Sequence, residues 1–130
     1  MMKIVQPEGW PRPKGYANGI VAEGKMLFIA GQIGWNENEQ FESDDFVAQV
    51  EQALRNIVAV VQAGGGKPEH IARLTWYVTD KKEYLSRLAD VGAAYRRTLG
   101  SVFPTMSLVQ VAALVEDRAK VEIEATAVIP

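Results

Sequence analysis

The 130-residue chain has no cysteine and a single histidine. Without thiols there is no disulfide, no thiolate nucleophile and no thiolate metal site, a composition that suits a reducing compartment. His70 has no second histidine or cysteine with which to build the three- or four-ligand cage that zinc takes, so a metal is not expected. Excess charge is also missing. Fourteen basic and sixteen acidic side chains leave a net charge of −2, which makes no electrostatic case for nucleic acid, an anionic membrane or a polyanionic substrate. No apolar run approaches the roughly 20 residues of a membrane span, and the opening MMKIVQPEGWPRPKGY lacks a signal-peptide core. A cytoplasmic location is the expectation. There is no Gly-x-Ser-x-Gly elbow and no metalloprotease helix motif. The glycines at 64–66 follow a helix and lead to a strand, whereas a phosphate cradle leads into a helix N-terminus.

What is present is the composition of one ordinary globular domain, 48% hydrophobic and 23% charged. Residues 103–129 organise it. Residues 105–114 are almost entirely apolar or β-branched, Glu116, Asp117 and Arg118 supply a solvated turn, and 119–129 alternate strictly. The alternation puts Val121, Ile123, Ala125, Ala127 and Ile129 on one face, with Lys120, Glu122, Glu124, Thr126 and Val128 on the other. Two carboxylates so placed are either a solvated strand face or the acidic wall of a pocket.

Upstream, residues 2–5 predict a short strand and 7–15 a proline-rich loop. Residues 16–22 and 25–31 predict two strands joined hairpin-fashion at Glu23-Gly24. Ser43, Asp44 and Asp45 open a helix whose apolar residues Phe46, Val50, Leu54, Ile57 and Val61 recur at helical spacing. Gly64 and Pro68 close it. Residues 71–79 predict the next strand. A second helix then starts at Asp80, carries Tyr84, Leu88, Val91, Tyr95 and Leu99 on one stripe, and ends at Gly100. Gly92 on that stripe costs roughly 1 kcal/mol against alanine, and close packing or room for a ligand is the reason offered for it. The isolated tryptophans Trp10, Trp35 and Trp76 predict core or pocket lining rather than base stacking.

The pattern is α+β, a mixed sheet with two crossover helices on one face and a terminal strand–turn–strand hairpin. The other sheet face is also apolar at Phe28 and its neighbours, so a second subunit is expected to cover it.

The blocks KGYANGI, LFIAGQIG, FVAQVEQALRNIVAVVQAGGG, RLTWYVTD, and FPTMSLVQV through VEIEATAV resemble, in order and over nearly the whole chain, the YjgF/RidA family of reactive-intermediate deaminases. The resemblance implies a chorismate-mutase-like single domain over 1–130, a homotrimer with a central barrel, and three small-molecule clefts between subunits. It further implies cofactor-independent hydrolysis of reactive enamines and imines, such as that from 2-aminoacrylate, to a keto acid and ammonia. Matched by position, Glu122 and Tyr16 take the catalytic roles, and Gly31, Ala30, Gly92, Met106 and Ser107 the substrate-binding ones. Some relatives act as 2-aminomuconate deaminases, and others have been described as translation inhibitors or endoribonucleases. The alternative to an enzyme is a small-molecule-binding or chaperone-like trimer.

Three positions depart from the family pattern. Met106 stands where active deaminases carry an arginine, Ala30 where they carry a serine, and Gly92 where they carry an asparagine. Together these describe a wider, less polar cleft for a ligand larger or less anionic than 2-aminoacrylate. Losing a bidentate arginine–carboxylate pair costs on the order of 2–5 kcal/mol, so hydrolysis of 2-aminoacrylate should be about two orders of magnitude slower than by an arginine-bearing relative. Met106→Arg should recover part of the deficit, and wild-type clearance equal to that of such a relative would remove the argument from the missing charge.

Overall fold

The computed structural model describes residues 2–130 and builds its core on a four-stranded mixed sheet, ordered β3-β6-β4-β5. The strands are β3 (Lys25–Ile33), β4 (Ile71–Val78), β5 (Thr105–Gln110) and β6 (Val121–Ile129). β6 is antiparallel to both β3 and β4, and β4 is parallel to β5. The crossover from β3 to β4 therefore spans the inserted β6, a split β-α-β unit, while the crossover from β4 to β5 joins neighbours. The expected α+β architecture, with its mixed sheet and two main helices, is present.

Helix α1 (Phe46–Ala63) is the first crossover. Its five predicted apolar positions are at most 1% exposed, and they pack on Leu74, Ile123 and Ala127 from the sheet. Its cap lies two residues later than expected. Asp45 accepts from the Ala48 N–H at 3.0 Å, while Ser43 Oγ accepts from the Asp45 N–H and shapes the entry. At the other end Gly65 takes φ +87°, a left-handed turn that suits glycine. The one buried polar side chain of the helix, Gln49, is satisfied on every side. Its amide donates to the Ser43 and Arg118 carbonyls and accepts from the Lys120 N–H, tying α1 to the entry of β6.

Three expectations need correction. The segment around Glu23-Gly24 is no hairpin. Strand β2 (Gly19–Ala22) pairs with β1 (Met2–Val5) in a separate two-stranded ladder, and Gly24 redirects the chain at φ +149°, where a Cβ would stand 2.3 Å from the Ile129 carbonyl oxygen. Nor do β5 and β6 form a hairpin. Residues 111–120 cross the end of β4, with the Val111 N–H bonded to the Val78 carbonyl and the Thr79 N–H to the Lys120 carbonyl. The chain thus passes from one edge of β4 to the other, and β6 enters the sheet as a central strand. The predicted second helix is two, α2 (Lys81–Ser86) and α3 (Leu88–Leu99), parted at Arg87 (φ −124°, ψ 27°). That break places the Arg87 guanidinium 2.8 Å from Asp45 and 3.1 Å from Asp90, and it leaves Leu88 51% exposed rather than on a buried stripe.

The helices cover one sheet face. The other is apolar as expected and presents Met26, Phe28 and Val109, each well exposed, although in β5 it is Val109 that faces out with Phe28, and Met106 and Leu108 that pack on the core. His70 closes a short 3₁₀ turn, its Nδ1 accepting from the Lys67 N–H at 3.0 Å. Among the described residues no helix is long and apolar enough to cross a membrane.

Glu51 on α1 joins the helix layer. It pairs with Arg97 of α3 and with Arg55, both at 2.6 Å, and the hydrogen bond from Arg97 leads in holding its carboxyl below the ordinary range. A carboxyl depressed in the folded state stabilises above its unfolded pKa, and that contribution is lost as pH falls through the folded one. Glu51→Gln should therefore lower stability at pH 7 by up to about 1 kcal/mol, since the arginines are largely solvated. Denaturant melts of the two proteins should converge as pH drops below about 4, and a gap unchanged by acid would contradict the ion-pair account.

Candidate active site

One cleft, of about 540 Å³, opens between the β5 edge of the sheet and helix α3. Its apolar side is a ladder of rings. Trp76 and Tyr95 stack at 6.4 Å between centroids, and Tyr95 and Phe103 at 5.5 Å within 7° of parallel. The ladder follows from the crossover. β4 turns Trp76 toward the helices with Leu74 and Val78, α3 buries Tyr95 on its inner face, and Phe103 precedes β5. The Tyr95 hydroxyl donates to the Val102 carbonyl, and burial pushes its pKa well up, so it stays neutral and structural. The Trp76 ring lines the cleft, yet its indole N–H is buried with no acceptor among the described residues, a condition that costs roughly 1–3 kcal/mol.

Of the residues singled out in the sequence, Tyr16, Gly92 and Met106 line this cleft. Tyr16 follows Gly15 (φ +76°) and is held beside β5 because Ala17 bridges Thr105 and donates its N–H to the Pro104 carbonyl. Met106 faces the helices, in register with Leu74. Trp76 lines the cleft, as pocket lining was expected; Trp35 packs on Phe41, and Trp10 is 59% exposed.

Glu122 and Gly31 lie together elsewhere. A register shift between Ile29 and Gln32 bulges β3 at Ala30 and Gly31, and a Cβ on Gly31 would stand 2.0 Å from Glu122 Oε2. The missing side chain is what admits the carboxylate. Glu122 is in register with Tyr77, and Ser107 with Thr75, so both belong to the open face, opposite Met106. Glu124, the second carboxylate of that face, accepts from the Tyr77 hydroxyl at 2.6 Å, a hydrogen bond that raises the tyrosine pKa. Two strand spacings, roughly 10 Å, and about as much again along the strands separate Glu122 from Met106. Within one chain the expected residues form two groups.

Sequence reasoning missed both cations of the cleft, Lys14 and Arg96, and did not assign Tyr95 and Phe103 to its wall. Arg96 could have been found from spacing, because it lies one helical turn after Gly92 on the same side of α3. Its presence corrects the expectation of a less polar cleft. Among the described residues no group of three His, Cys, Asp or Glu side chains is placed to hold a metal ion.

Known proteins share this fold. The family model described as endoribonuclease L-PSP matches residues 11–129. A 2-iminobutanoate/2-iminopropanoate deaminase from Escherichia coli K12 is 36% identical over 98% of each chain. Among solved structures, the Rid family protein YyfB from Yersinia pestis superposes with a TM-score of 0.86 at 29% identity, over 98% of each chain. E. coli TdcF, solved with bound serine, superposes at 0.70 with 33% identity, over 98% of this chain and 99% of that one. The fold is that of the YjgF proteins. The chain belongs to the YjgF/RidA family.

Gly31→Ala should drive the Glu122 side chain into a different rotamer away from β3 and lower folding stability by about 1 kcal/mol, because Cγ and Cδ as well as Oε2 stand within 3 Å of the new Cβ. A crystal structure and a melt of the variant check this. A large loss of stability with Glu122 unmoved would mean that the backbone yields instead.

Proposed function

We propose that this protein hydrolyses a 2-imino acid, or its enamine tautomer, to the 2-oxo acid and ammonia. The observation that carries the reading is the Glu122 carboxylate seated against Gly31, in a chain collinear with named 2-imino acid deaminases. An imine carbon is already electrophilic, so the chemistry asks for a positioned water and a group that manages its proton. Glu122 takes a proton from water as its oxygen adds to the imine carbon. Glu122 passes that proton to the nitrogen to give the carbinolamine, whose hydroxyl proton then moves to the nitrogen by way of the same carboxylate as the carbonyl forms and ammonia leaves. Tyr16 is the hydroxyl donor on the cleft side and Gly31 the backbone amide on the Glu122 side. Ala30 adjoins Gly31 in the β3 bulge, and Ser107 shares the open face with Glu122 but stands two strands away on β5.

These parts belong to opposite sides of one sheet, so a working centre takes the cleft of one subunit and the Glu122–Gly31 pair of its neighbour. The exposed Met26, Phe28 and Val109 supply an apolar face for such packing, and the homotrimer with a central barrel is the assembly proposed. An endoribonuclease finds no support in the overall charge.

Ammonia release is measured from a panel of 2-imino acids generated in place by an amino-acid oxidase. Wild type should accelerate release, and Glu122→Gln should lose at least about a hundredfold, since the amide cannot accept the water's proton. Sedimentation equilibrium should give about three times the 14.3 kDa chain mass for both proteins. A trimer that releases ammonia from none of the panel would be a binding or chaperone-like protein.

A further inference from the structure

Four arginines of the chain are held by carboxylates: Arg55 and Arg97 by Glu51, Arg87 by Asp45 and Asp90, and Arg118 by Asp44. Arg96 has no such partner among the described residues, and it lines the cleft. Its Nη1 lies 3.4 Å from the point where a Cβ on Gly92 would stand, a contact distance, so the guanidinium lies alongside position 92 and a side chain longer than alanine there would compete with it for room. Lys14 contributes a second cation to the cleft wall, and among the described residues no carboxylate lines it. A positive cleft in a chain of net charge −2 is a local feature and not a reflection of overall composition.

We infer that Arg96, in the room left by Gly92, is the carboxylate anchor of this cleft, and that the ladder of Trp76, Tyr95 and Phe103 selects 2-imino acids with an aromatic or large apolar side chain. This deepens the deaminase reading by naming its substrate class. The anchor has moved from the strand wall to the helix wall. Met106, on β5, is then free to be apolar, an adaptable thioether against the substrate body and not a vacant charge site. A fork-shaped guanidinium pairs with a carboxylate through two parallel hydrogen bonds, and the rings bury the apolar body. Trp76 and Tyr95 are already buried, so Phe103, 41% exposed, is the ring that a ligand newly covers; a ligand with the carboxylate alone leaves it uncovered, and one with the ring alone leaves the cation unpaired.

Calorimetric binding to the intact protein separates these contributions with three probes: phenylpyruvate, which has both groups, pyruvate, which has the carboxylate, and phenylacetone, which has the ring and ketone. Wild type should bind phenylpyruvate at least about tenfold more tightly than either of the others. Arg96→Gln should bring phenylpyruvate down to the level of phenylacetone and leave phenylacetone unchanged, and Arg96→Lys should restore part of the difference. Arg96 is exposed near the end of α3, so the fold should tolerate both variants, and a melt of each confirms it. Phenylpyruvate binding by Arg96→Gln within twofold of wild type overturns the inference, as does wild-type preference for pyruvate or absence of binding. If Arg96-dependent binding is present and no imine is hydrolysed, the deaminase reading falls and the anchor stands.

Discussion

Strand β6 is hydrogen-bonded along both edges, to β3 on one side and β4 on the other, and the rest of the molecule depends on that double ladder. It brings the last segment of the chain into the middle of the sheet, so the layer under α1 closes only when the C-terminal strand is in place. Val121, Ile123 and Ala127 are fully buried because they are the floor on which α1 sits. Gln49 enforces the alignment, since its buried amide finds all of its partners only when residues 118–120 enter the sheet at that point. The same ladder sets Glu122 opposite the β3 bulge, where Gly31 leaves room for its carboxylate. Core and candidate chemistry thus share one constraint.

The cleft belongs to a different part of the fold, the second crossover. Its aromatic wall is continuous with the core through Trp76 and Tyr95, which makes it rigid, while Phe103 and Tyr16 are about two-fifths exposed and form its rim. Rigid apolar walls with a few convergent polar groups are the usual form of a small-molecule site. The break at Arg87 also serves this region. It turns Leu88 out of the core to the cleft mouth, and the freed guanidinium ties the start of α3 to the cap of α1. The cleft therefore inherits its position from the packing of the two helices.

Under the proposed function the two halves of the centre come from different chains, and each is shaped by its own scaffold, one by a β-bulge and the other by an aromatic ladder. Changes in the cleft wall can then alter the ligand without touching the carboxylate that handles the proton. Met106, Gly92 and Arg96 all lie on the cleft side, and Glu122 and Gly31 on the other. This arrangement reconciles a lost strand arginine with a retained acid.

Periodicity alone determined the elements with one solvated side. The stripe from Phe46 to Val61 and the alternation from Val121 to Ala127 are both buried as the pattern demands, because a helix or strand with one apolar face has one way to dry it. The collinear blocks determined the family, and with it which residues to watch. What periodicity could not determine was pairing. A strand's pattern says which side is dry but not which neighbour takes its hydrogen bonds, so two apparent hairpins, β2–β3 and β5–β6, dissolved once the ladders formed. The site divided for the same reason. Met106 and Ser107 are adjacent in sequence yet face opposite sides of the sheet, and only the closed sheet decides which of them shares a cavity with Tyr16. Arg96 looks in sequence like one more cation near a helix C-terminus. Tertiary packing alone sets it over Gly92, beside a wall of rings, where an unpaired guanidinium becomes a ligand for an anion.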